Sequence, residues 1–192
     1  MIKGIIFDCF GVLTTDGWLP FKAEHFGHDP ELLEQATSLN QQVDSGLLSY
    51  YDGVVAVAKL SGMPESTVHA ALEANVPNTQ LFDYMRGLKA DYKLGLLSNA
   101  GANWLDKLFG AERTALFDAI ALSYETGVIK PSPRAYEIIA DRLGLLPEEC
   151  VLIDDQERFC TGAKENGMQA VWYKNFDQAK AELEAMLANS KN

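Results

Sequence analysis

The sequence predicts an α/β fold: a doubly wound, Rossmann-like parallel sheet with a helical cap inserted after its first strand. Three observations carry that expectation. Apolar runs of about four residues recur along the chain, helical patterns separate them in its second half, and three of the runs end directly on a polar residue. Strand–helix alternation of this kind belongs to parallel sheets whose two faces are covered by helices.

The first run, Gly4–Phe7, ends on Asp8, and the second, Leu94–Leu97, ends on Ser98. Ala119–Leu122 is the third. Val151–Ile153 is the fourth and ends on Asp154, and Ala170–Trp172 is the fifth. In open α/β sheets, ligands bind in the crevice beyond the carboxyl ends of the strands. Three strand ends therefore aim polar groups at one place.

About 85 residues separate the first two strands, far more than a crossover needs. They read as consecutive helices. Asp29 caps one that has Pro30 at its first position and fades by Gly46, and Ser49 opens a second that stops at Gly62. Pro64-Glu65 opens a third, and Asn78 caps a fourth that leads back to Tyr92. The expected division is a core of residues 1–14 and 92–192 and a cap of residues 15–91, lying over the crevice like a lid. From about Asp177 the tail reads as one amphipathic helix with Leu183, Met186 and Leu187 on its apolar face.

The chain's 192 residues suit one domain with a smaller insertion, and 47% hydrophobic with 22% charged residues is a globular balance. Sixteen basic against 27 acidic residues give a net charge of −11. That excludes nucleic acid and anionic membrane surfaces as expected partners, and it obliges an anionic ligand to find local positive charge. Cys9, Cys150 and Cys160 lie in or beside apolar runs, as buried reduced thiols do. Met1–Phe7 is too short for a secretory apolar region, and no stretch approaches the ~20 apolar residues of a membrane span. A cytoplasmic protein is expected.

The residues that carry chemistry sit at the strand ends. Asp8 stands in Phe7-Asp8-Cys9-Phe10-Gly11-Val12-Leu13. A carboxylate there can be a nucleophile that forms an acyl-phosphate, and it can equally cap a turn. Asp154 and Asp155 follow Cys150-Val151-Leu152-Ile153. Adjacent carboxylates repel unless a cation or donor lies nearby, and Mg²⁺ is usually held by one or two of them plus waters; alone, they also read as an acidic turn. Lys130 precedes Pro131-Ser132-Pro133. Pro131 suits the first turn of a helix running to about Leu143, which would set Lys130 at that helix's positive end. As an isolated residue it is an ordinary surface lysine. Ser98-Asn99 supplies two short hydrogen-bonders after the second strand.

Order and spacing together are more specific than any one of these. Asp at the first strand, Ser-Asn at the second, Lys-Pro before a helix and Asp-Asp at a later strand resemble the four-motif pattern of the haloacid dehalogenase-like (HAD) superfamily. The resemblance runs from about Ile5 to Tyr173, supported by Leu122–Gly127 leading to Lys130 and by Gly162-Ala163 and Gly167-Met168. The insertion resembles the small helical cap of the subclass that includes haloacid dehalogenases, β-phosphoglucomutases and the phosphatase domains related to soluble epoxide hydrolase. The resemblance implies a Mg²⁺-dependent phosphatase acting on a small phosphorylated molecule. It implies Asp8 as nucleophile and metal ligand, the Phe10 backbone carbonyl as a second ligand, Asp155 as a direct ligand and Asp154 as a ligand or orienting group. Cys9 and Phe10 would border the phosphoryl group, Ser98 with Asn99 beside it would hydrogen-bond it, and Lys130 would neutralise charge on Asp8 and phosphate.

Two positions break the family pattern. Most phosphatases of the family carry a second aspartate two residues after the nucleophile to protonate the leaving alcohol and later activate water. Here that position is Phe10. Phe159 stands where relatives often place Asn or Asp. Haloacid dehalogenases read Asp-x-Tyr-Gly-Thr-Leu, close to Asp8-Cys9-Phe10-Gly11-Val12-Leu13, but they need no metal and generally lack the acidic pair. A 2-haloacid dehalogenase-type hydrolase and a non-catalytic protein that binds a phosphorylated ligand are the alternatives. Within the cap, Trp18, Phe21, His25, His28 and Tyr50-Tyr51 are the visible candidates for specificity.

Overall fold

The computed structural model describes residues 1–190 and folds them around five strands: β1 (Gly4–Phe7), β2 (Lys93–Ser98), β3 (Ala119–Leu122), β4 (Cys150–Asp154) and β5 (Gln169–Trp172). All are parallel, in the order β3-β2-β1-β4-β5. Each expected run is a strand, and three of them are longer by one or two residues. Among the described residues the helices are α1 (Trp18–Phe26), α2 (Pro30–Asp44), α3 (Tyr50–Ser61), α4 (Glu65–Leu72), α5 (Thr79–Leu88), α6 (Leu105–Thr114), α7 (Ser123–Thr126), α8 (Pro133–Leu143), α9 (Glu157–Glu165) and α10 (Phe176–Asn189).

The strands are continuous apolar runs because both faces of the sheet are covered. The pleat still sorts alternate residues. Ile5, Phe7, Leu94, Leu96, Val151 and Ile153 join one buried cluster, with α5, α6 and α10; Ile6, Leu97, Leu152 and Ala170 join the other, with α8 and α9. From β1 the chain moves outward through β2 and β3, then returns to the other side of β1 as β4. The direction of winding reverses between β1 and β4, and a crevice opens there. Asp8 N–H donates to Ile153 O at 2.9 Å, so Asp8 and Asp154 emerge side by side at that point.

The inserted helices start and stop where their end residues dictate. Asp29 Oδ1 accepts from the N–H groups of Glu31 and Leu32, and Ser49 Oγ accepts from Asp52 N–H. Such a cap contributes about 1 kcal/mol. Gly62 ends α3 in the left-handed region, at φ +71°. Helices α1–α4 bury their own cluster, including Phe21, Phe26, Ala36, Val54, Val57 and Val68.

Two features of the inserted region were not foreseen. Helix α1 had no counterpart in the sequence reading: the Trp18-Leu19-Pro20-Phe21 stretch carries a proline, which its first turn tolerates. Its start is set by Asp16, whose Oδ1 accepts from Trp18 N–H at 2.7 Å and Leu19 N–H at 3.0 Å. Helix α5 lies inside the expected cap, yet Leu81, Phe82, Met85 and Leu88 are buried in the cluster that covers β1 and β2.

Candidate active site

At the ends of β1 and β4, Lys130 Nζ lies between two carboxylates, 2.7 Å from Asp8 Oδ1 and 2.5 Å from Asp154 Oδ2. Lys130 is 2% exposed, Asp8 5% and Asp154 0%. Burial alone would push the ammonium pKa down, but the two carboxylates outweigh it and raise it. For Asp8 the balance goes the other way. Burial pushes the carboxyl up, Lys130 pulls it back, and the charges of Asp154 and Asp155 push it up again, leaving it well above the ordinary carboxylate range.

Helix α8 begins at Pro133 with Ser132 as its N-cap, so Pro131 is not in its first turn as expected, and Lys130 lies in the connection two residues ahead of the cap. Its backbone is held by Asn99. Lys130 N–H donates to Asn99 Oδ1 at 2.7 Å, and Asn99 Nδ2 donates to Lys130 O at 3.1 Å. Asn99 lines the large cavity described below, with its side chain engaged on Lys130. Ser98 is buried at the end of β2, its hydroxyl making only a long 3.4 Å contact to Asn99 O. With Cys9 and Phe10 it borders a separate small hollow of about 10 Å³.

The acidic pair divides its work. Asp154 spends Oδ2 on Lys130 and Oδ1 on Gln156 N–H at 2.9 Å. Asp155 Oδ1 is buried with no hydrogen-bond partner, and an orphaned carboxylate oxygen is costly to bury. One oxygen each of Asp8, Asp154 and Asp155 lie within 4.8 Å of one another. Burial, then the charge of Asp154, push the Asp155 carboxyl up to about 6. Gly11 makes room for it: φ is +86°, and a Cβ there would run into the Asp155 carboxylate. A hard cation with oxygen ligands suits such a donor set.

Phe10 packs edge-to-face on Trp104, with ring centroids 5.4 Å apart, and Trp104 packs in the same way on Tyr50 at the start of α3, also at 5.4 Å. Phe159 is likewise an aromatic wall: Lys130 Nζ lies 4.8 Å from its ring centroid and the Arg158 guanidinium 4.6 Å.

Above Asp8 and Lys130 a cavity of about 290 Å³ separates the sheet from α1–α4. Of the cap residues expected to shape it, Trp18 and Tyr50 do line it. Phe21 and His25 pack on each other with their rings tilted, away from it, and His28 and Tyr51 are exposed. Asp16, Asp44, Trp104 and Arg158 line the cavity and were missed. Asp16 carried a helix-cap signal; the others became neighbours only through the fold.

Fold and strand-end chemistry together define an α/β protein with an aspartate-centred site at the switch point of its sheet. The chain belongs to the haloacid dehalogenase-like hydrolase family, which it matches over residues 2–167. It is 25% identical to the D-ribitol-5-phosphate phosphatase of Bacteroides thetaiotaomicron over 206 residues, covering 97% of this chain and 99% of that protein. A HAD family enzyme from the same organism, solved in complex with magnesium and inorganic phosphate, superposes with a TM-score of 0.73 at 26% identity, over 91% of this chain and 95% of that one. The L-2-haloacid dehalogenase of Xanthobacter autotrophicus with chloropropionic acid covalently bound shares the fold, with a TM-score of 0.63 at 23% identity over 88% and 76% of the two chains.

Proposed function

We propose that the chain is a Mg²⁺-dependent phosphatase acting on a small phosphorylated molecule, with Asp8 as the nucleophile that takes the phosphoryl group. The observation that carries this reading is the acidic trio Asp8, Asp154 and Asp155 beside Lys130, with one buried Asp155 oxygen unpartnered. Asp8, Asp155 and the Phe10 carbonyl would hold the metal, and Asp154 would orient Lys130. When bound, Mg²⁺ supplies charge neutralisation for phosphoryl oxygens. Lys130 holds Asp8 in place and offsets negative charge on the phosphoryl group in the transition state. Phosphoryl transfer depends mainly on positioning and such neutralisation.

The cavity supports a small substrate. Lys107 also lines it but is paired with Glu73 at 2.6 Å, whereas Lys22 and Arg158 face it with no ion pair among the described residues. They give an anionic ligand local attraction against the chain's charge of −11. The phosphatase names of relatives, and the magnesium and inorganic phosphate bound to one of them, favour the same chemistry. The test is phosphate release from a panel including D-ribitol 5-phosphate, glycerol 1-phosphate and p-nitrophenyl phosphate, each with Mg²⁺ and with EDTA, beside halide release from 2-chloropropionate. Phosphate release that EDTA abolishes is expected. Halide release that persists in EDTA, with no phosphate from any ester, would overturn the reading.

A further inference from the structure

Phe10 cannot carry a proton, and a phosphatase that acts on alkyl phosphates needs one delivered to the departing oxygen. We infer that Asp44, contributed by the inserted helices, is the general acid and base of the reaction. The inference rests on the phosphatase reading and adds to it a residue that the inserted helices contribute to the same cavity.

The position comes first. Asp44 lines the same cavity as Asp8 and Lys130. It is the last residue of α2, and that end is pinned to the core: Ser123 Oγ donates to Asp44 O and accepts from Ala100 N–H at 2.9 Å. The adjacent Val43 fills a notch that exists only because residue 101 is glycine, since a Cβ there would collide with the Val43 side chain. The carboxyl is therefore fixed relative to the strand ends, although it comes from the lid. In an in-line displacement the attacking and leaving oxygens lie on opposite sides of phosphorus. With Asp8 attacking from the sheet, the leaving oxygen points towards the lid, where Asp44 stands.

Its surroundings favour the protonated form. Asp44 lies at the negative end of α2, where helix carbonyls disfavour a carboxylate. Asn40 Nδ2 donates to Oδ2 at 2.8 Å, and no ion pair holds it among the described residues. Asp16, Lys22, Tyr50 and Lys130 line the same cavity. Burial, and then the charge of Asp16, push the Asp44 carboxyl up to about 7, against the Asn40 amide and Lys130. Asp16 is less suited to the task, because the two N–H groups that start α1 donate to its Oδ1 and favour its carboxylate form, against the effect of burial.

The steps balance. An Asp8 oxygen bonds to phosphorus as the ester P–O bond breaks, and the departing oxygen takes the Asp44 proton and leaves as the alcohol. Asp44, now a carboxylate, then removes a proton from water as that water attacks phosphorus. The bond to Asp8 breaks, inorganic phosphate is released, and Asp44 is protonated again.

The experiment compares wild type, Asp44→Asn and Asp44→Glu on glycerol 1-phosphate and p-nitrophenyl phosphate with Mg²⁺, with melting curves for each. In kcat/KM, which reports the step that expels the alcohol, Asp44→Asn is expected to lose about 10²–10⁴-fold on the alkyl ester, the usual worth of a positioned acid, and little on the aryl ester, whose leaving group needs no proton. The value of kcat, which includes the water step, is expected to fall on both. Asp44→Glu is expected to recover part of the loss. Equal losses of kcat/KM on both esters, or none, overturn the assignment. Should Asp44→Asn fail to fold, wild-type kcat/KM across a series of phosphate esters decides: values nearly independent of leaving-group pKa support an acid in place, and a steep fall with rising pKa overturns it. A wild type that hydrolyses neither ester removes the phosphatase reading itself, and this assignment with it.

Discussion

Asn99 grips Lys130 by the backbone with both ends of its amide, accepting at 2.7 Å and donating at 3.1 Å. The lysine that bridges Asp8 and Asp154 is thus aimed from a residue that touches neither carboxylate. Asn99→Ala is expected to destabilise the protein by about 1–3 kcal/mol, the cost of leaving buried backbone groups unpaired. It should lower kcat about 10²-fold through misplacement of Lys130, with little change in KM. A raised KM at unchanged kcat would mean that Asn99 serves the substrate directly. Urea denaturation and steady-state kinetics on one preparation distinguish the two.

Removing the bridge itself leaves two buried carboxylates without their cation. Lys130→Met in metal-free buffer is expected to cost about 3–5 kcal/mol at pH 8, the usual penalty for breaking a buried pair. The sign follows from the proton balance. The Asp8 carboxyl, raised in the folded state, holds a proton there that the unfolded chain has released, so stability falls as pH rises through its folded pKa and returns on acidification. Denaturation at pH 5 should therefore show a smaller loss than at pH 8. A loss independent of pH would contradict the ion-pair account.

For the metal, calorimetric titration with Mg²⁺ is expected to show binding that Asp155→Asn weakens severely, because Asp155 Oδ1 has no hydrogen-bond partner and would be satisfied by a cation. Wild-type affinity in that variant would place the metal elsewhere.

Asp44 offers a test by pH without turnover. Its carboxyl is raised to about 7 in the fold, against an ordinary 3.8. Below about pH 4 it is protonated folded and unfolded, and Asp44→Asn should melt close to wild type. Between those values the folded state alone keeps the proton, so wild-type stability declines as pH rises. The melting-temperature advantage of Asp44→Asn should grow from pH 4 to pH 8, and an advantage that shrinks would refute the burial of a raised carboxyl.

Most of the sheet was legible because buried parallel strands announce themselves as short apolar runs, and Asp8 and Asp154 stand at their ends. Helices α2 and α3 were legible through Asp29 and Ser49, whose side chains cap them. Less visible were features that depend on partners far along the chain. Asn99 looks like a turn residue until Lys130 is folded against it, and nothing local to Asp44 tells that α2 ends over the crevice. The surface-lysine reading of Lys130 and the acidic-turn reading of Asp154 both fail for one reason: each residue is buried only because the other is there to neutralise it. Phe159 reads as a departure from relatives, and only the fold shows its ring between Lys130 and Arg158.

The edge-to-face chain from Phe10 through Trp104 to Tyr50 has an effect that no single contact within it has. Phe10 is two residues from Asp8, and Tyr50 belongs to the inserted helices. Trp104 therefore touches a residue of the Asp8 loop on one side and a residue of the inserted helices on the other. Its indole is a natural fluorophore placed where the two parts of the chain meet, so its emission is expected to report a change on either side of the cavity.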